Sequence, residues 1–379
     1  MTTPPIKAPY VNLAAHNAAF KQRMLEAVGR VIDHGWFILG PEVAELERRI
    51  AAQLDVPHVV GVNTGTDALV LALRLRDIGP GDEVITTSHS FVATASAIRL
   101  VGATPVFVDV DERTMLIDPA AIEAAITPRT RAVMPVHLNG HPCEIDAIAE
   151  LCRQRQLTLI EDCAQAYGAR FRGRQVGAHD IGCFSLHPLK IFSACGDAGF
   201  IVVNSEAERD QLKLLRNLGL RDRDNCVVAS PNPRMHTIQA AMLLVKLDAV
   251  DEFIAARQAN AAAYREALAG LVTLPPEEED HRVIYSAFVI RPPAGIERDR
   301  LVAALLERGV DAKVHYPLAI HQQPAFVGSA RHPLPVTERV VSQIISLPVV
   351  GELLPEQRQA VIDGVRDAVA ALRAEAAAR

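Results

Sequence analysis

From residue 58 onward, short apolar runs rich in β-branched residues alternate with amphipathic stretches of helical period. The runs predict strands at His58–Val62, Glu83–Thr87, Thr104–Val110, Ala132–His137 and Leu157–Cys163. The stretches between them predict helices at Ala68–Arg76, Ala93–Val101, Pro119–Ala125 and Glu144–Gln154. Near-continuous apolar strands separated by helices imply a mainly parallel sheet covered on both faces, because each crossover lays a helix across the sheet. Two further runs, Cys183–Leu186 and Phe200–Asn204, flank the small-residue turn Gly196-Asp-Ala-Gly199, and an antiparallel pairing within the same sheet suits them. A long helical segment spans Thr237–Leu271 and is followed by Pro275-Pro276 and the acidic run Glu277–Asp280. The pattern then restarts with a strand at Val283–Ile290, a helix at Asp299–Arg308 and a final helix at Pro355–Ala377. The expected organisation is an N-terminal arm (1–19), a large α/β domain (20–250) and a smaller C-terminal α/β domain (251–379), with the long helix bridging the two.

Composition narrows the function. A chain of 379 residues has room for two to three domains. Its net charge of -6 lacks the basic footprint of a nucleic-acid binder. The apolar stretches are short and interrupted, so no membrane span is expected, and Met1–Tyr10 contains no apolar leader core. Six cysteines (Cys143, Cys152, Cys163, Cys183, Cys195 and Cys226) stand singly without a C-x-x-C pair. That pattern argues against zinc and against a disulfide framework, and for the reducing cytoplasm, with the thiols serving as small buried apolar groups.

Five features carry candidate chemistry. The chain has only six lysines, and Lys190 alone follows an apolar strand, in Phe184-Ser-Leu-His-Pro-Leu-Lys190, and precedes a small-residue turn. Apolar neighbours desolvate an amine, which lowers its pKa and makes it a nucleophile and base. Asp162 closes the predicted strand Leu157–Cys163 near its C-terminal end, where ligand groups gather in parallel sheets. Asn63-Thr-Gly-Thr-Asp-Ala-Leu69 is a strand end, a tight turn and a helix start, which favours a phosphate, and the Ser185 hydroxyl is a candidate to join it. Phe91 lies just past another strand end and has a flat face to offer a ring. Each feature also has an ordinary reading when taken singly: a snorkelling lysine, a capping aspartate, a capped helix start, a core phenylalanine. Together they meet the needs of pyridoxal phosphate: an amine for its aldehyde, a carboxylate for its ring nitrogen, a phosphate cradle and a stacking surface.

In this order the segments resemble the DegT/DnrJ/EryC1/StrS family of PLP-dependent sugar aminotransferases. The resemblance spans nearly the whole chain, from Ile38-Leu-Gly-Pro-Glu-Val43 and Thr64-Gly-Thr-Asp-Ala-Leu69 through Ile160-Glu-Asp-Cys-Ala-Gln-Ala166 to Tyr316-Pro-Leu318 and Ser346-Leu-Pro348. It implies the type I fold of PLP-dependent transferases, like that of aspartate aminotransferase, with a mainly parallel seven-stranded sheet and a smaller C-terminal domain. It also implies a homodimer with active sites at the interface. Lys190 matches the lysine that holds the cofactor as a Schiff base and then shuttles a proton. Asp162 matches the carboxylate on the pyridine nitrogen, Phe91 the stacking aromatic, Gly65 and Thr66 the phosphate turn, and Ser185 the phosphate hydroxyl. Gln165 matches a glutamine near the ring oxygen, and Asn232 an asparagine that reaches the partner's phosphate. The implied reaction is ping-pong transfer of an amino group, most often from L-glutamate, to a nucleotide-linked keto sugar.

Departures from the family pattern fall at Asn139, Ile191-Phe-Ser193, Cys163 and Ser286, where a substrate could be sensed. His187, His315, His321 and His137 are candidate substrate contacts, with His187 equally suited to holding its own turn. Sugar dehydratases of the same family have histidine in place of Lys190. An amino-cyclitol acceptor and a non-catalytic regulatory role remain alternatives, whereas the absence of a strand–GxGxxG–helix unit excludes a nicotinamide-binding domain.

Overall fold

The computed structural model describes residues 5–378. Its main sheet contains β1 (His58–Val62), β2 (Glu83–Thr87), β3 (Thr104–Val108), β4 (Thr130–Met134), β5 (Thr158–Asp162), β6 (Ile181–Ser185) and β7 (Gly199–Val203). Their order is β1-β7-β6-β5-β4-β2-β3. β3, β2, β4, β5 and β6 pair parallel in sequence. β7 runs antiparallel between β1 and β6, as the two apolar runs around Gly196–Gly199 suggested.

Apolar residues leave both faces of the strands, so both faces are covered. One side packs Val60, Ile160, Ile181 and Ile201 against helices Gly65–Leu75, Ala93–Leu100 and Glu206–Leu215. The other packs Val59, Ile85, Val133 and Phe200 against Pro41–Leu54, Ile145–Arg155 and Thr237–Lys246. A separate core joins Ala8, Tyr264, Phe288, Leu301, Leu347 and Val365. Helix Val250–Leu268 bridges the two cores, with Ile254 in the first and Ala261, Tyr264 and Leu268 in the second. Two segments leave the order of the chain. The N-terminal stretch lies on the second core, with Lys7 and Ala8 donating to the Gly309 carbonyl. Ile320, Phe326 and Leu334 return to pack on Ala95 and Phe107 of the sheet layer.

Two expected elements change. The helical segment at 237–271 divides into Thr237–Lys246, a 3-10 turn at Leu247–Ala249, and Val250–Leu268. The strand expected at Val283–Ile290 shrinks to Phe288–Ile290, which pairs antiparallel with Ile345–Leu347. The reason is that Tyr285 adopts a left-handed backbone (φ 49°) and Ile284 donates to the Gly140 carbonyl. Ile284 thereby packs in the sheet core while Val283 and Tyr285 pack in the second.

Glu47 stands on the otherwise apolar buried stripe Val43, Leu46, Ile50, Leu54 of its helix. Its Oε1 accepts from the Gly61 amide (2.9 Å) and from Arg216 Nη1 (2.5 Å), while Nη1 also donates to the Gly61 carbonyl (2.7 Å). This buried pair ties two helices, one from each layer, to β1. Breaking such a pair strands a charge in a low dielectric. Arg216→Met is therefore expected to destabilise the protein by roughly 3–5 kcal/mol. Adding Glu47→Leu should recover much of that loss, as read from urea-unfolding midpoints.

Candidate active site

The parallel strands all point their C-terminal ends the same way, so the residues just beyond them converge. β1 leads into Thr64-Gly65, β2 into Phe91 and β4 into Asn139, while β5 ends at Asp162 and β6 at Ser185. Because β7 is antiparallel, its first residue joins this cluster instead of its last: Gly199 pairs with Val62 on one side and Ser185 on the other.

Thr64 caps helix Gly65–Leu75 through its hydroxyl, which accepts from the Asp67 amide (2.9 Å). The Gly65 and Thr66 amides have no hydrogen-bond partner among the described residues. A Cβ on Gly65 would lie 2.6 Å from Ser185 Cβ, and one on Gly199 would lie 2.6 Å from the Thr64 carbonyl. Two bare glycines thus leave a small cradle bordered by free amides, a helix N-terminus and a hydroxyl, which is the donor set a phosphate requires.

Asp162 is buried. Its Oδ2 accepts from the Thr94 hydroxyl (2.8 Å) and its Oδ1 from the Ala164 amide (3.1 Å). Burial raises the carboxyl pKa above its ordinary value; those hydrogen bonds and the Lys190 charge pull against that rise. Lys190 stands in the loop between β6 and β7. Leu186 donates to the Ala198 carbonyl and Ala194 to that of Leu186 (both 2.8 Å), while Ile191 and Phe192 anchor the loop in the core. Burial lowers the lysine pKa, opposed by Asp162. The amine and the carboxylate are therefore within electrostatic reach of one another.

Lys190 lines a cleft of about 320 Å³ with Asn139, Gln165, Arg257, His315 and Tyr316. Gln165 is held on three sides: its Oε1 accepts from the Asn139 amide (2.8 Å) and the Ser286 hydroxyl (3.3 Å), and its Nε2 donates to the Tyr316 hydroxyl (3.1 Å). The Phe91 ring lies 5.7 Å from that of Tyr316 and is 53% exposed. His315 faces the cleft, its Nδ1 near the hydroxyls of Tyr10 (3.3 Å) and Ser346 (3.4 Å). Burial lowers its pKa, and Lys190 and Lys313 add to the effect.

Two histidine expectations are corrected, and His187 takes the second of the two readings open to it. His137 is fully buried between Glu161, which its Nε2 meets at 3.0 Å, and the Cys143 amide, which donates to its Nδ1 (3.0 Å), so neither nitrogen is free for a substrate. His321 is committed likewise, to Ser88 (2.7 Å) and Glu338 (3.1 Å), and tethers the 320–326 segment to the end of β2. His187 is exposed and its Nδ1 accepts from the Leu189 amide (3.2 Å), which gives it the turn-holding role. Asn232 is also exposed, in a loop fixed by the Asn63 amide on the Pro233 carbonyl (2.9 Å).

Sequence reasoning passed over Thr94, Tyr10 and Arg257. Thr94 lies in the first turn of a helix, three residues after Phe91, so its reach toward the same site was readable from helical spacing. Tyr10 carried no such signal, since the N-terminal stretch reaches the cleft only by packing on the second core.

A half-buried amine near a buried carboxylate, a phosphate cradle and a shaped cleft fit pyridoxal phosphate. The sequence model of the DegT/DnrJ/EryC1/StrS aminotransferase family matches residues 19–366. The chain belongs to this family. Its cofactor is pyridoxal phosphate and it is an aminotransferase. It is 40% identical to a dTDP-3-amino-3,4,6-trideoxy-α-D-glucose transaminase of Streptomyces venezuelae, over 95% of this chain and 96% of that protein. It is 42% identical to a UDP-N-acetyl-3-dehydro-α-D-glucosamine 3-aminotransferase of Acidithiobacillus ferrooxidans, over 92% and 94%. The crystal structure of S. venezuelae DesV in complex with a ketimine intermediate superposes with a TM-score of 0.93 at 40% identity, covering 97% of this chain and 99% of that one. Its fold is accordingly the type I fold of PLP-dependent aminotransferases.

Two measurements follow. Gly65→Ala should weaken pyridoxal phosphate binding by about tenfold or more, since a Cβ there cannot swing away from Ser185; titration of cofactor-free protein by absorbance reads this. In the cofactor-free protein, recapture of pyridoxal phosphate should rise with pH through a midpoint below the ordinary lysine value of 10.5, because burial disfavours the ammonium. Asp162→Asn should move that midpoint lower still, since it removes the charge that favours the ammonium.

Proposed function

We propose that this aminotransferase transfers an amino group from L-glutamate to a keto sugar carried on a nucleotide. The observation that carries this reading is the agreement of two relatives at 40% and 42% identity, each matched over more than nine-tenths of its length and each named for a nucleotide-linked amino sugar. The cleft supports it: Asn139, Gln165, His315 and Tyr316 give the reacting centre the polar lining that a sugar ring requires.

The bound cofactor supplies an electron-accepting ring and a place for the amino group to wait between the two substrates. The protein's residues do the rest. The Lys190 Nζ, which burial biases toward the neutral amine, holds the cofactor and then carries the proton at the donor's Cα. Asp162 keeps the ring nitrogen protonated, with Thr94 and the Ala164 amide fixing its two oxygens. Gly65, Thr66 and Ser185 would hold the phosphate, and Phe91 would offer its face to the ring. Gln165, fixed by Asn139, Ser286 and Tyr316, has an N–H left for the ring oxygen.

The proposal extends to a homodimer. Leu25, Ile32 and Trp36 form an exposed apolar row on and after helix Lys21–His34, flanking the buried Met24, Ala27 and Val31, and Trp36 is 60% exposed. Phe91 and Leu189 are likewise exposed beside the site, which a second copy would cover and to which it would bring Asn232. The two cores act as two domains jointed in helix Val250–Leu268. Six free cysteines suit the cytoplasm.

L-glutamate added to the pyridoxal-loaded protein should bleach its visible absorbance and release 2-oxoglutarate in single turnover. Lys190→Ala should lose at least about a thousandfold in turnover, the scale of a removed general base that is also the anchor. An unbleached spectrum with glutamate would overturn the donor assignment, and near-normal turnover in Lys190→Ala would overturn the role given to that lysine.

A further inference from the structure

Helix Val250–Leu268 buries a stripe of Ile254, Arg257, Ala261, Tyr264 and Leu268, four of which are apolar or aromatic core residues. Arg257 occupies the fifth place in that stripe and is only 9% exposed. Its Nη1 donates to the carbonyls of Tyr285 (3.2 Å) and Ser286 (3.3 Å). Its Nε and Nη2 make no hydrogen bond among the described residues, and the guanidinium forms no ion pair there. A guanidinium taken out of water without an acid partner is costly, and the usual reason for keeping one is an anion that arrives later.

Arg257 lines the same cleft as Lys190. The Ser286 carbonyl that it holds belongs to the residue whose hydroxyl donates to Gln165, so the guanidinium is built into the wall of the reacting centre. The charged cleft residues are Lys190, Arg257, Lys313 and Glu352, with His16 and His315 beside them. Lys313 is exposed and already paired with Asp311 (2.5 Å). Once Lys190 is engaged with the cofactor, Arg257 is the recessed cation of the cleft, and it forms no ion pair among the described residues.

We propose that Arg257 receives a carboxylate of the amino-acid donor. The inference deepens the glutamate reading and rests on it. The planar fork of a guanidinium matches a carboxylate with two parallel hydrogen bonds. Glu352 lies within electrostatic reach of Arg257, but its carboxylate is engaged by His16 (2.5 Å), which leaves the guanidinium open to an incoming carboxylate. Sequence alone offered a signal as well, since an arginine on a largely apolar helical face, shared there only with Asn260, is out of place unless it is paired.

The test is Arg257→Gln, which keeps a polar, hydrogen-bonding side chain but is shorter and carries no charge. The KM for L-glutamate should rise about 10- to 100-fold, the cost of losing a charged hydrogen-bonded pair, while the KM for the keto sugar and the visible spectrum of the pyridoxal-loaded protein stay as they are. Arg257→Lys should recover part of the loss. Glutarate, a dicarboxylate with no amino group, should bind wild-type holoenzyme in calorimetry and bind the Gln variant about tenfold more weakly. A rise in the keto-sugar KM alone would assign the guanidinium to the diphosphate and overturn the proposal. A fall in kcat with both KM values unchanged would make it structural and also overturn it. If wild-type protein fails to react with glutamate at all, the donor reading falls on its own, while glutarate binding still reports on Arg257.

Discussion

A carboxylate and an amine, Asp162 and Lys190, lie within electrostatic reach of one another at the C-terminal edge of the sheet, and the rest of the site is arranged around that constraint. Neither charge is comfortable alone: burial pushes Asp162 up and Lys190 down, and each restrains the other's shift. The protein holds the pair in place by rigid means. Asp162 is the last residue of a central strand, bonded on both oxygens, and Lys190 rides a loop nailed down by Ile191 and Phe192. Both groups are therefore poised before any ligand arrives, which is what lets a cofactor ring and its aldehyde find their partners without reorganisation.

The antiparallel strand β7 does something that a sixth parallel strand could not. Its reversed direction brings a first residue to the edge where its neighbours bring their last, and that residue is Gly199, between Val62 and Ser185. With Gly65 facing Ser185 across the gap, the chain leaves backbone amides open where side chains would otherwise fill the space. Loss of either glycine would close the cradle from within. The logic is steric, and it explains why a single small turn, unconvincing on its own, becomes specific in its place.

The cleft is asymmetric. On the side of the second core it is finished, with Gln165 immobilised by three neighbours and Arg257 set into the wall through Ser286. On the opposite side Phe91 and Leu189 stand in solvent beside the lysine. A recessed guanidinium and an open apolar rim call for different occupants: a small anion for the first, and a large surface, such as a second copy of the chain, for the second.

The sequence by itself determined the sheet-and-helix alternation, the strand ends on which Asp162, Phe91 and Ser185 sit, and the singular context of Lys190. Those are local matters, set by periodicity, turn chemistry and the apolar company each residue keeps. It also carried signals that went unused, such as Thr94 one helical step from Phe91 and Arg257 on a buried stripe. What only the tertiary structure decided was which groups remain free. His137 and His321 look like substrate contacts in the sequence, yet long-range partners, Glu161 and Glu338 among them, consume their nitrogens. The strand expected at 283–290 was cut short because its residues serve two cores at once, through a left-handed Tyr285. Tyr10 enters the cleft from the far end of the chain because Ala8 packs in the second core. Such outcomes depend on packing between residues from 17 positions apart (His321 and Glu338) to 305 (Tyr10 and His315), and no local pattern encodes such partners.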